Sequence, residues 1–179
     1  MQAKNHYILL TFDVEEFDTP LEYNCKIDLP EQMKIGKLGL DAITPIISTN
    51  KIASTLYTTA NFADHFPNEI QALAQKHEIA SHTFYHTTFE EKDLLNSKLK
   101  LEEITGKKVI GLRMPRMQKV DMNLVKEAGY LYDSSIHPTW IPGRYNNLKL
   151  PRTLYEQESV KRLPASVRSE EHTSELQSH

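Results

Sequence analysis

The chain has 179 residues, 39% hydrophobic and 25% charged, with a net charge of −3. That balance describes a soluble globular domain long enough to bury a real core, and the lack of a long basic run argues against nucleic acid or an acidic membrane surface as partner. The single cysteine, Cys25, excludes an internal disulfide framework, and no stretch approaches the ~20 apolar residues of a membrane span.

The opening MQAKNHYILLTFDVEE lacks the apolar core and small-residue cleavage site of a signal peptide, so the default expectation is a cytoplasmic chain. HYILLTFDV, residues 6–14, is rich in β-branched, aromatic and aliphatic residues and reads as a buried strand. Carboxylates and Pro20 stop it, and residues 21–36 read as loop. LGLDAITPIISTN, residues 38–50, has helical spacing, disturbed by Pro45. KIASTLYTTA (51–60) predicts a second strand, PNEIQALAQKH (67–77) a helix with Pro67 in its first turn, and EIAS (78–81) a short third strand. TFEEKDLLNSKLKLEEITG (88–106) is amphipathic and closes on Gly106. KKVIGLRMP (107–115) predicts strand four, VDMNLVKEAG (120–129) a helix, and YLYDSS (130–135) strand five. This alternation argues for a parallel sheet with helices outside it. No glycine-rich phosphate loop is present, and a barrel or partial barrel fits at least as well as an open Rossmann-like sheet.

Ionisable residues follow four of these strands: Asp13 and Glu15, then His82 and His86, then Arg113, then Asp133. In parallel α/β folds the carboxyl ends of the strands share one rim, where sites are built. Eight histidines make one pair four apart weak evidence by itself; convergence from separate segments is stronger. Two imidazoles and one carboxylate form a common catalytic metal set. On a helical turn, His82 and His86 would share a face. Strand alternation puts Asp13 and Glu15 on one side, so one can bind metal while the other serves as general base. Arg113 would keep that base ionised and aimed. The remaining carboxylates of the run, Glu16 and Asp18, read as solvated.

TFDVEEF, SHTFYH, RMP and YDSS, in that order, resemble the NodB-type polysaccharide deacetylases of carbohydrate esterase family four. The resemblance runs from about Tyr7 to Ser166. It implies a distorted (β/α) barrel, incomplete here because its last strands are missing, and a divalent metal, usually zinc. It also implies hydrolysis of acetyl groups from N-acetylglucosamine polymers or other acetylated polysaccharides. By the D-V-E variant of the first motif, Asp13 is the catalytic base and Glu15 the metal ligand, with Glu16 as substitute. His82 and His86 match the metal histidines, Arg113 the residue that orients the base, and Asp133 the acid that braces the charge network. Arg116 stands where the family has an aromatic residue whose backbone N–H helps hold the oxyanion, and Trp140 is a candidate lining of the sugar site. The family's late general-acid histidine has no counterpart.

The polar ending RSEEHTSELQSH resembles the conceptual translation of a sequencing adapter. The expected organisation is therefore one truncated deacetylase domain, 1–167, and a non-native tail, 168–179. Competing readings are an iron oxygenase, disfavoured because its carboxylate usually lies close to one histidine, and a non-catalytic glycan-binding module or an inactive fragment of a deacetylase. Nothing in the sequence points to an oligomeric state.

Overall fold

The computed structural model of the protein describes residues 8–49, 52–143 and 145–166. Five short strands alternate with helices: β1 (Thr11–Val14), β2 (Thr55–Thr58), β3 (Glu78–Ser81), β4 (Gly111–Leu112) and β5 (Tyr132–Asp133). The helices are α1 (Thr19–Glu22), α2 (Leu29–Thr49), α3 (Ala60–His65), α4 (Pro67–Leu73), α5 (Lys92–Thr105) and α6 (Met122–Glu127), with a 3-10 turn at Pro115–Met117. Strands β6 (Trp140–Ile141) and β7 (Tyr145–Asn146) form a separate ribbon, and β8 (Tyr155–Gln157) and β9 (Val160–Arg162) join the main sheet.

The main sheet runs β1-β2-β3-β4-β5-β9-β8. From β1 to β5 each strand pairs in parallel with the next in sequence, the winding order of a (β/α) barrel rather than of a doubly wound sheet. Strand β9 continues it in parallel on β5, and β8 turns back antiparallel. Among the described residues the sheet stays open, with β1 and β8 as its edges. This mostly parallel, sequentially wound α/β sheet agrees with the barrel-type fold that the resemblance implies. The boundary proposed at residue 167 lies outside the described residues.

Alternation sorts the side chains. Phe12, Leu56, Ile79 and Leu112 point to the helices and pack with Ile70, Leu94, Leu101 and Val125 in the core. Along α2, buried Met33, Leu40 and Ile47 recur every seven residues and make its inner stripe. The other face of the sheet is polar, carrying Thr11, Asp13, Tyr57, Glu78 and Arg113. Gly111 on that face leaves room for the Tyr132 ring, whose atoms would lie 2.1 Å from a Cβ there.

Three expectations change. Strand β1 begins only at Thr11, and Ile8 is 94% exposed, because β1 is an edge strand with no neighbour on its free side among the described residues. His6 and Tyr7 lie outside the described residues. The expected loop 21–36 contains the first half of α2: Asp28 caps it by accepting from the Glu31 N–H at 3.0 Å, and Pro30 falls in its first turn, where no N–H is needed. The β8–β9 hairpin was not predicted. Its turn residues, Glu158 and Ser159, both have positive φ, 51° and 64°, a conformation that Asn-Gly usually signals.

Candidate metal centre and active site

The site lies where the ladder continues one residue past each strand. His82 N–H donates to Thr58 O at 2.9 Å, Arg113 N–H to Ser81 O at 2.9 Å, and Ser134 N–H to Leu112 O at 2.8 Å. Backbone pairing thus fixes His82, Arg113 and Ser134 on one rim.

Glu15, His82 and His86 bring one ligand atom each to within 4.8 Å of one another. Glu15 Oε2 lies 2.9 Å from His82 Nε2 and 3.2 Å from His86 Nε2. It is buried, yet neither contact has hydrogen-bond geometry. A buried carboxylate oxygen without a directed donor is costly, and a cation between three such closely gathered ligand atoms would offset that cost. The ring tautomers agree. His82 Nδ1 lies 2.7 Å from the Arg113 carbonyl oxygen, which can only accept, so Nδ1 carries the hydrogen. His86 Nδ1 lies 2.7 Å from Asp18 Oδ1, again an acceptor. Both Nε2 atoms are thereby free for a metal. The residues fit a divalent ion of the zinc class.

The histidines do not share a helical turn. After Ser81 the chain is irregular until α5, and Thr83 takes a left-handed φ of 63°. Hydrogen bonds from Thr83 N–H to Ser81 Oγ at 3.1 Å and from Thr83 Oγ1 to Tyr85 O at 2.9 Å hold this β-branched residue in a conformation it rarely adopts. Glu15 is placed by β1 and by the close approach of α2, where a Cβ on Gly36 would sit 2.2 Å from the Glu15 carbonyl oxygen.

Asp13 stands beside this cluster. Arg113 Nη1 donates to Asp13 Oδ1 at 2.6 Å, and Nη2 donates to Thr11 Oγ1 at 3.1 Å and Ser134 Oγ at 3.2 Å. The guanidinium carbon lies 4.0 Å from the centre of the buried Tyr57 ring, a cation–π contact. Arg113 is thus clamped, while Asp13 and Glu15 border a cleft of about 690 Å³ with Phe17, Ile43 and Met117.

Asp133 is fully buried. It reaches Arg162 Nε at 3.0 Å, accepts from Ser135 N–H at 3.1 Å, and accepts from Ser135 Oγ. Burial pushes its carboxyl pKa up, against the pull of Arg162, Ser135 and Arg113. Ser135 Oγ in turn accepts from Met114 N–H at 2.7 Å, so Asp133 braces the segment that carries Arg113. Breaking a buried pair leaves an uncompensated charge. Arg162→Ala should therefore cost about 3–5 kcal/mol of stability, read by urea denaturation; a loss under about 1 kcal/mol would mean that Asp133 is neutral or rehydrated there.

Two carboxylates that read as solvated are buried. Glu16, 2% exposed, accepts from Thr59 Oγ1 at 2.6 Å, Asn61 Nδ2 at 3.2 Å and His86 N–H at 3.0 Å. Asp18, 1% exposed, pairs with His86 and with Arg116 Nη2 at 2.9 Å. Burial alone would raise the Asp18 pKa, but His86 and Arg116 outweigh it and hold it at about 2. Their donors come from distant segments, so no local pattern flagged them. Arg116 also donates to His86 O at 3.0 Å and to Glu22, so its guanidinium faces protein groups. Trp140 stands 58% exposed on β6, outside the main sheet.

A family model described as polysaccharide deacetylase matches residues 2–132. Among solved structures the chain is similar to a protein from Mycobacterium smegmatis described as a polysaccharide deacetylase, with 22% identity and a TM-score of 0.65 over 88% of this chain and 58% of that one. A Pseudomonas aeruginosa PAO1 protein, also described as a polysaccharide deacetylase, aligns at 18% identity and a TM-score of 0.59, over 89% of this chain and 61% of that one. Puue allantoinase aligns at 20% and 0.57, over 89% and 61%. At these identities the structures speak for the fold. The chain spans about three fifths of each of them. No curated protein matches. No helix among the described residues is long and apolar enough to cross a membrane.

Proposed function

The chain belongs to the polysaccharide deacetylase family, and on that premise we propose that it hydrolyses acetyl groups of an acetylated polysaccharide or oligosaccharide with one divalent ion, zinc, held by Glu15, His82 and His86. The observation that carries this reading is Glu15 Oε2: buried between two Nε2 atoms, without a directed hydrogen bond. A bound divalent ion supplies Lewis-acid polarisation of the acetyl carbonyl and brings the pKa of water toward neutrality.

The chain's own residues do the rest. Asp13 accepts the proton of the attacking water as general base, and a proton is returned to the sugar nitrogen or oxygen as its bond to the acetyl carbon breaks and acetate leaves. Arg113, locked by Thr11, Ser134 and the Tyr57 face, keeps Asp13 ionised and fixes the oxygen that faces the water. The backbone N–H of Arg116 stabilises the developing oxyanion, which is how this position contributes to substrate binding. Asp133 holds the Arg113 segment still through Ser135. Trp140 offers an exposed aromatic face to a sugar ring.

The test is acetate release from acetylated chito-oligosaccharides, with an activated acetyl ester in parallel. The ester's leaving group departs without protonation, so it isolates the attack step. Dialysis against a strong chelator should bring both activities to background, and stoichiometric zinc should restore them. Release that survives chelation overturns the metal-dependent reading.

A further inference from the structure

Resting on the metal reading above, we propose that Asp18, held by Arg116, is a positioning residue that sets the tautomer of His86 and thereby the metal affinity of the site. The two histidines are supported differently. His82 follows directly on β3 and leans on a backbone carbonyl that the sheet fixes. His86 lies in the irregular stretch between β3 and α5, where no ladder holds it. Side chains hold it instead, at three points: Asp18 on Nδ1, Glu16 on the backbone N–H, and Arg116 on the carbonyl oxygen.

A buried carboxylate is tolerated only where charge pairing and hydrogen bonds offset its desolvation. Asp18 is almost fully buried, and both its oxygens accept: Oδ1 from His86 Nδ1 at 2.7 Å, Oδ2 from Arg116 Nη2 at 2.9 Å. Glu22 in α1 binds the Nε side of the same guanidinium. The arrangement Glu22–Arg116–Asp18–His86 therefore ends on the ring nitrogen opposite the metal-facing one. An acceptor at Nδ1 keeps the hydrogen there, leaves the lone pair on Nε2, and raises the ring's basicity. Removing such outer partners costs metal affinity by roughly 10–100-fold.

Asp18→Asn is the informative variant. It keeps the shape but has a single acceptor oxygen, so either His86 Nδ1–H or Arg116 must face an amide N–H. Zinc affinity is measured by competition with a chromogenic chelator. The His86 tautomer is read in the zinc-free protein by long-range ¹⁵N–¹H correlation of the imidazole. The expected result is zinc binding weakened about 10–100-fold, with His86 shifting from Nδ1–H toward Nε2–H and His82 unchanged. Wild-type affinity together with an unchanged His86 tautomer in the folded variant would overturn the proposal. Wild-type protein that binds no zinc sinks the metal reading instead, so the two failures are distinguishable. Asp18→Ala gives a second measure of the affinity loss; if it does not fold, Asp18→Asn decides alone.

Discussion

Asp13→Asn is expected to abolish acetate release, by about 10²–10⁴-fold, the usual contribution of a positioned general base, while zinc content stays at wild-type level. The split follows from the geometry. Asp13 lies outside the group of three converging ligand atoms, so ligation does not need it. Its side chain is one-third exposed on the cleft, within reach of water, and its Oδ1 is oriented by Arg113 at 2.6 Å. Asparagine keeps an oxygen for Arg113 to bind, so the scaffold survives, but it cannot take a proton at neutral pH. A non-catalytic glycan binder would lose nothing measurable on the same change. Full acetate release by the variant would move the base elsewhere.

Glu15→Ala is expected to remove the metal itself. Glu15 supplies the only carboxylate of the three converging ligand atoms, and its loss leaves two imidazoles. The affinity loss should exceed the roughly 10–100-fold that follows loss of an outer partner. Stability reports it independently. A ligand at 1,000 times its Kd stabilises the folded state by about 4.1 kcal/mol, so zinc at that excess should raise the wild-type melting temperature and leave that of Glu15→Ala where it is. Activity should fall with the metal. If zinc content and the zinc-dependent rise both persist in the variant, Glu16 or another group is the ligand.

Much of the fold was legible from local pattern. Parallel winding followed from strand–helix alternation, and Gly106 ends α5 in the left-handed conformation with φ of 67°. Glu15, His82 and Arg113 fell on one rim because each directly follows a strand of the parallel sheet, with Asp13 near the end of β1. What could not be read depended on distant partners. DVEEFD looks like a solvated acidic run, and only the approach of Thr59, Asn61, His86 and Arg116 makes burial of Glu16 and Asp18 affordable. Ile8–Leu10 satisfy every local rule for a buried strand, yet burial needs a neighbour, and among the described residues β1 is an edge. The β8–β9 hairpin turns on two left-handed residues that lack the usual glycine, so no turn signal announced it. The histidine pair has helical spacing, but left-handed Thr83 and a set of side-chain hydrogen bonds bring the rings together instead.

The metal centre is tested most directly by zinc K-edge X-ray absorption on the zinc-loaded wild-type chain, with metal content determined on the same sample. One ion per chain is expected, bound by two imidazole nitrogens and one carboxylate oxygen, with one imidazole contribution lost in His86→Ala. A chain that takes up no zinc, or zinc whose spectrum lacks imidazole and is indifferent to His86, would contradict that assignment.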